Sequence, residues 1–308
     1  IKNNGETILH GDLPELDLVP GESQALDLPS INNNIEQEGE LFLELIFVLK
    51  KDASWAETGH VIAREQYLLR DGNQKEFIHL VNEGCPISLY EIAEFHIIQA
   101  KAFDQTFRIN KNFGWIDSYQ IGSHNIFIEP LTLNLWRAPT DNDIHIAQEW
   151  RLDGLDRTKA DLRNITIQKA DNGSLIIYVD GILSADGLRP HSQYKIVYTI
   201  DPKGCLKIDL NFEPLNLLTR LPRLGFTTRL AQGLSQVSWY GRGPHENYAD
   251  RKDSAFIDQY SAKTEDLFHP YIYPQENGNH TDVRWLKIYG RELPGFKIIG
   301  YPTFNFSI

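Results

Sequence analysis

Cysteine is scarce in this chain of 308 residues: only Cys85 and Cys205 occur, 120 positions apart. Two thiols so placed do not make the dense framework of a disulfide-stapled domain, so both are expected to be buried and free. Positive charge is also short, with 30 Lys and Arg against 42 Asp and Glu, a formal net charge of -12 and no sustained basic run. Phosphate backbones and anionic membrane surfaces would repel such a chain at long range, which argues against nucleic acid and membrane as partners. No stretch of about 18 apolar residues occurs, so no segment reads as a membrane-spanning helix. The opening I-K-N-N-G is neither a methionine start nor a basic and apolar leader. A cytoplasmic location is the expectation, ahead of a periplasmic or secreted one. Repeats of the kind that build propellers or solenoids are missing.

What is present is alternation. The apolar fraction of 41% and aromatic fraction of 11% suffice for a core in each of two domains. The first, residues 1–88, reads as all-β. N-N-G at 3–5 marks a hairpin turn, 24–28 alternates like an edge strand, and L-F-L-E-L-I-F-V-L at 41–49 is apolar enough for a central strand. The stretch 55–63 leads into R-E-Q-Y-L-L, another strand. An immunoglobulin-like sandwich follows from this set. Trp55, Glu57 and His60 read as an aromatic corner over a bulge rather than as a site.

A polar break at 82–86 separates this unit from a longer one, residues 89–308. There F-H-I-I-Q-A, F-D-Q-T-F-R-I, L-I-I-Y-V, Y-K-I-V-Y-T-I and L-K-I-D-L-N-F recur with a period near two. The punctuations N-K-N-F-G (110–114), A-D-N-G-S (170–174) and D-P-K-G (201–204) are turns of the Gly, Asn and Pro kind. They predict a large antiparallel sandwich, with one short helix over 144–152.

Two loops concentrate polar and aromatic chemistry. In W-R-A-P-T-D-N-D (136–143), Pro139 stiffens the turn and Arg137 lies close in sequence to Asp141 and Asp143. A bidentate pair between Arg137 and one carboxylate, holding the loop rigid, is favoured over direct ligand contact by Arg137, Asp141, Asn142 and Asp143. A hard cation on D-N-D is disfavoured, because the twelve-position calcium loop with its terminal Glu is not there. His145 is placed at the loop's outer end, facing a hydroxyl or water. In Y-G-R-G-P-H-E-N-Y (240–248), Gly241 and Gly243 are expected to permit unusual backbone angles around Arg242, and Pro244 to set the approach to His245, Glu246 and Asn247. Such donors and acceptors beside tyrosine rings suit a sugar, and equally a structural network closing one end of a sandwich.

Chemistry of other kinds lacks its signature. H-E-N-Y-A has no second histidine for a zinc protease, the glycines miss the dinucleotide spacing, and no G-x-S-x-G is present. Glycosidic cleavage needs two carboxylates. Glu246, Asp250 and Glu276 are available, but for each a turn or salt-bridge role outweighs a catalytic one. By itself the chain reads as a binding or framework part with no assignable acid and base pair.

L-W-R-A-P-T-D-N-D (135–143), W-Y-G-R-G-P-H-E-N-Y-A-D-R (239–251) and Y-I-Y-P-Q-E-N-G (271–278), in this order, resemble the carboxyl-terminal third of the large bacterial β-galactosidases of glycoside hydrolase family 2. S-W-A-E-T-G-H (54–60) resembles the immunoglobulin-like domain that precedes it. The resemblance covers essentially the whole chain, as two successive domains of a five-domain polypeptide. It implies retaining hydrolysis of terminal β-galactosides such as lactose by two glutamates on a (β/α)8 barrel, with magnesium and sodium ions. That barrel precedes the segment seen here, so no catalytic residue, metal ligand or cofactor is carried over to this chain. The resemblance further implies a mutarotase-like supersandwich whose D-N-D loop approaches the active-site mouth, with Asp141, Asn142, Asp143 and His145 lining or supporting the entrance. The barrel of the same polypeptide, the β-galactoside and further copies in a homo-oligomer are the implied partners.

Two departures stand out. The family often has glycine where His145 stands. It also continues past the equivalent of F-N-F-S-I to a tryptophan that stacks on the sugar. An excised fragment of a full enzyme, inactive alone, is therefore the expectation; a naturally split small subunit, or an autonomous carbohydrate-binding or structural sandwich module, is the alternative.

Overall fold

In the computed structural model, residues 1–28, 38–72, 86–215 and 220–308 are described. The chain is all-β: nineteen strands and one short α-helix among the described residues, with every strand pairing antiparallel.

The first sheet has the order β2-β1-β3-β4, from β1 (Lys2–Asn3), β2 (Glu6–Thr7), β3 (Leu41–Val48) and β4 (Val61–Arg70). The hairpin read from N-N-G is present. Asn4 and Gly5 both take positive φ, 50° and 84°, the twist that a two-residue hairpin turn requires. The apolar run became β3, interior in its sheet as expected. Residues 24–28 form no strand and are mostly exposed. Alternation over five residues did not secure a ladder partner, and without one the pattern has nothing to bury against. Trp55 meets His60 edge-on at 5.4 Å but is 65% exposed, so this corner covers little. The break expected at 82–86 falls, except for Pro86, outside the described residues.

A second sheet runs sequentially through β5 (Ile87–Ile92), β6 (Phe95–Ala100), β7 (Gln105–Asn110), β8 (Ile116–Ile121) and β9 (His124–Asn125). After β10 (Thr132–Asn134) and α1 (Ile146–Leu152) comes a third, β11 (Lys159–Lys169), β12 (Leu175–Ser184), β13 (Ser192–Ile200) and β14 (Leu206–Pro214). Next, β15 (Gly225–Thr227) returns to pair with β10. The last sheet has the order β17-β16-β18-β19, from β16 (Gln236–Gly243), β17 (Phe256–Lys263), β18 (His280–Tyr289) and β19 (Phe296–Phe306).

These sheets share one core because each turns apolar side chains to one side, by strict alternation on β12 and β13. On β12, Leu175, Ile177, Val179 and Leu183 point inward; on β13, Tyr194, Ile196, Tyr198 and Ile200 do. Against them lie Ile98, Phe107, Ile109 and Ile116 of the second sheet and Val237, Trp239, Leu286 and Ile288 of the fourth. Gly181 occupies an inward position opposite Tyr194, where a Cβ would lie 2.3 Å from the ring. The glycine there makes room for the tyrosine, whose ring stacks on Trp115 at 5.4 Å.

The first sheet docks on the outer face of the fourth. Phe42 packs on Tyr240, Ile257 and Trp285. Beside them the Tyr240 hydroxyl donates to Glu40 Oε2 at 2.6 Å, and Arg284 Nε donates to the same oxygen at 3.0 Å. Burial and the Glu40 carboxylate push the Tyr240 hydroxyl pKa up, keeping it a donor. Gln66 closes the seam, exchanging hydrogen bonds with the Ile257 backbone at 2.9 Å each way.

Candidate functional site

The loop 136–145 leaves the short β10 strand and ends in a 3-10 turn, Asp141–Asp143, immediately before α1. Thr140 begins this turn. The Asp143 carboxylate reaches back to accept from Thr140 N at 2.7 Å and from its Oγ1 at 2.8 Å, the pattern of a T-x-x-D capping signal. Arg137 grips the same carboxylate with both terminal nitrogens. The bidentate pair expected for this loop is thus present, and Asp143 is the carboxylate that takes part. Burial works against ionisation of Asp143, but the bonds from Arg137 and Thr140 and the guanidinium charge outweigh it and hold the pKa below 3.8.

Arg137 does more than close its own loop. Its Nε donates to Glu276 Oε2 at 2.9 Å, and the guanidinium lies over the Trp150 ring at 5.3 Å. Arg223 holds the other oxygen of Glu276. Asp141 N donates to Pro274 O at 2.9 Å. The third motif, 271–278, is therefore fastened to the first by an ion pair and a backbone bond.

The same segment is fastened to the second motif. Glu246 accepts from the Tyr271 hydroxyl, from Arg251 at 2.8 Å and from Gly278 N at 2.8 Å. Asn247 is fully buried, and both ends of its side-chain amide are bonded. Its Oδ1 accepts from Thr281 N at 2.9 Å and Oγ1 at 2.7 Å, while its Nδ2 donates to His245 O at 2.9 Å. Arg242 donates to Asp282 Oδ2 at 2.6 Å and to the carbonyls of Lys252 and Ala255. His245 meets Ser254 Oγ at 3.2 Å. A cavity of about 440 Å³ opens beside this loop, with His245, Glu246, Arg251, Phe268, Tyr271 and His280 among its walls.

Two corrections apply here. Neither Gly241 nor Gly243 takes a positive φ, because β16 carries extended backbone through to Gly243, which ends the strand and joins Pro244 by a cis peptide bond. They are needed for space: a Cβ on Gly241 would sit 2.8 Å from Val283 Cα, and one on Gly243 2.7 Å from the Tyr260 ring. Cys205 is exposed rather than buried, since it follows the Gly204 turn; Cys85 lies outside the described residues. D-N-D does not converge on a cation, because Asp143 is turned into Arg137 and Thr140 while Asp141 and Asn142 are exposed.

The sequence profile of the β-galactosidase small chain matches residues 101–308, and that of β-galactosidase domain 4 matches residues 1–70. The chain belongs to the β-galactosidase small-chain family. It is 30% identical over 301 residues to a β-galactosidase of Vibrio cholerae, covering 92% of this chain and 28% of that protein. To β-galactosidases of Priestia megaterium and Oenococcus oeni it is 29% and 28% identical, covering 98% and 100% of this chain but 29% and 30% of those proteins. It spans less than a third of the length of these relatives.

Within this family member, three sequence motifs form one cluster in which Asp143, Glu246 and Glu276 are all held by arginines or backbone amides. Asp250 sits exposed on the turn between Tyr248 and Arg251. His145 is exposed at the start of α1, next to Ile144, which is 69% exposed. Sequence reasoning missed Arg223, Asp282 and Thr140 as partners. Thr140 alone had a local signal, its spacing to Asp143. No helix among the described residues is long and apolar enough to cross a membrane.

Proposed function

We propose that this chain is the non-catalytic carboxyl-terminal portion of a retaining β-galactosidase acting on terminal β-D-galactosides such as lactose, with domains at 1–88 and 89–308. Its role is to support the active-site entrance and line part of it. What carries this reading is the state of the carboxylates in the motif cluster. Glu246 and Glu276 are each spent on arginine, so neither is free to serve as acid, base or nucleophile, whereas Asp141, Asn142 and His145 project from a loop that Arg137 holds rigid. Arg137 and Asp143 position the loop, and the exposed side chains face the bound galactoside. The network of Arg242, His245, Glu246 and Asn247 keeps the neighbouring segment in register with it.

The two glutamates of the reaction and the magnesium and sodium ions belong, on this reading, to a barrel in the same polypeptide, and the full enzyme is a homo-oligomer. The residues of D-N-D do not fit a magnesium ion, since the Asp143 oxygens are taken by Arg137 and Thr140.

The test is hydrolysis of a chromogenic β-galactoside by this chain alone, and after mixing with a separately produced amino-terminal part that contains the barrel. Activity only in the mixture is expected. Turnover by the purified chain, after host enzyme has been excluded by mass spectrometry, would overturn the reading.

A further inference from the structure

The outer face of the fourth sheet continues beyond the area covered by Phe42. Strand register places Ser261, Ser238, Lys287 and Lys297 in one row across β17, β16, β18 and β19, each directly opposite the next. Alternation puts all four on the same outward face as Tyr240 and Trp285. Two lysines opposite each other on a sheet face repel, an arrangement that costs stability unless something offsets it. Among the described residues no carboxylate pairs with either one, although acidic residues outnumber basic ones in this chain. Both instead meet one ring: the ammonium groups of Lys287 and Lys297 lie 5.2 Å and 4.7 Å from the centroid of the Trp285 ring.

The indole restricts both stems and keeps the two ammoniums 5.2 Å and 4.7 Å from one ring centroid. Burial and then the charge of Lys287 lower the Lys297 pKa. Hydroxyl donors stand beside them. Ser238 Oγ lies 2.9 Å from Ser261 Oγ and 3.2 Å from the Tyr289 hydroxyl. Two hydrogen bonds among these three hydroxyls use two of their three protons and leave one able to turn toward an incoming acceptor. Two ammoniums and a hydroxyl cluster on a flat, partly apolar shelf are the donor set for a small multivalent oxyanion.

We propose that the shelf formed by Ser238, Ser261, Lys287 and Lys297 beside Trp285 is a binding site for a doubly charged oxyanion of the phosphate or sulfate class. The anion receives a charge-assisted hydrogen bond from each lysine and a further one from Ser238 or Tyr289, and it cancels the repulsion between the strands. A single negative charge, as on a monocarboxylate or chloride, offsets only half of the lysine charge and binds more weakly. The site lies apart from the motif cluster and is independent of the proposed function.

The test is a titration of the 308-residue chain with inorganic phosphate, then sulfate, then acetate, at constant ionic strength made up with sodium chloride. Backbone amide shifts and Trp285 side-chain shifts are followed by NMR. Saturable shifts centred on Ser238, Trp285, Lys287 and Lys297 are expected for phosphate and sulfate, with a dissociation constant on the order of millimolar, as two or three charge-assisted bonds give. Acetate should bind at least about tenfold more weakly. Lys297→Gln should weaken phosphate about tenfold or more, and Ser238→Ala should weaken it severalfold while leaving both charges in place. Unchanged spectra outside this face would show that both variants keep the fold. Shifts that do not saturate, or that persist equally in Lys297→Gln, would overturn the proposal. Equal binding of acetate and phosphate would also overturn it, because the site would then not read a double charge.

Discussion

Replacing Arg137 by alanine tests the reasoning about the motif cluster most directly. The side chains of Arg137 and Asp143 are 19% and 11% exposed, so this pair is far drier than a surface ion pair. Breaking a fully buried pair by removing one partner costs about 3–5 kcal/mol, and an exposed pair is worth about 0–1 kcal/mol. At this intermediate burial, with Thr140 still bonding Asp143 and Arg223 still bonding Glu276, about 2 kcal/mol is expected from the ion pair. Loss of the guanidinium over Trp150 adds about 0.5–1 kcal/mol, for a total near 3 kcal/mol. With a urea m-value of about 3 kcal/mol/M, the unfolding midpoint should fall by about 1 M. The pH dependence supplies a second reading. The folded pKa of Asp143 is depressed below 3.8, so its contribution is present above that value and is lost as pH falls through the folded pKa. Arg137→Ala should therefore flatten the acid limb of stability below about pH 4. In a double-mutant cycle with Asp143→Ala, the combined loss should fall short of the sum by at least about 1 kcal/mol. A midpoint shift under about 0.3 M, or strict additivity, would refute the view that this pair holds the loop.

Asn247→Ala strands the Thr281 amide and hydroxyl in a fully buried place, and a loss of about 3 kcal/mol is expected, read by urea unfolding together with faster exchange of the Thr281 amide. His280 is buried between Phe306, stacked at 5.0 Å, and Trp239, edge-on at 4.6 Å, and burial holds its pKa below 6.5 despite carbonyls of Gly278 and Pro244 at its two nitrogens. Its contribution is complete above pH 6.5 and is lost as pH falls toward the folded value, so stability should begin to drop below about 6.5. His280→Gln should lessen that slope in a pH series of urea midpoints, leaving the part that His96 and His191, whose pKa values burial also lowers, contribute; an unchanged slope would place its origin wholly elsewhere. Tyr240→Phe deletes the donor to Glu40 while Arg284 remains, which should cost about 1.5 kcal/mol and raise proteolytic cleavage within residues 1–72 before the remainder is cut.

Local and periodic features were legible. The hairpin at Asn4–Gly5, the interior strand β3, the turns ending in Gly114, Gly173 and Gly204, and the helix after D-N-D all follow from short-range rules, and all are found. The Arg137 pair was legible because its two members lie six residues apart in a loop stiffened by proline. Residues 24–28 failed for the opposite reason: the pattern was local, but a strand needs a partner that the pattern does not name. The glycines of β16 were misread because crowding by Val283 and Tyr260 comes from chain far away in sequence.

By itself the amino-acid sequence determined an acidic, antiparallel all-β chain of the β-galactosidase small-chain family, because strand periodicity, turn chemistry and three ordered motifs are carried by neighbouring residues. Only the tertiary structure decided which carboxylates are spent. The partners of Glu276 are Arg137 and Arg223, those of Glu246 include Tyr271 and Gly278, and Tyr240 finds Glu40 two hundred residues away. Such pairings depend on how sheets stack and which strand edges meet, and no local rule ranks one distant arginine above another. The row of Ser261, Ser238, Lys287 and Lys297 has the same origin, since its members become neighbours only through the register of four strands.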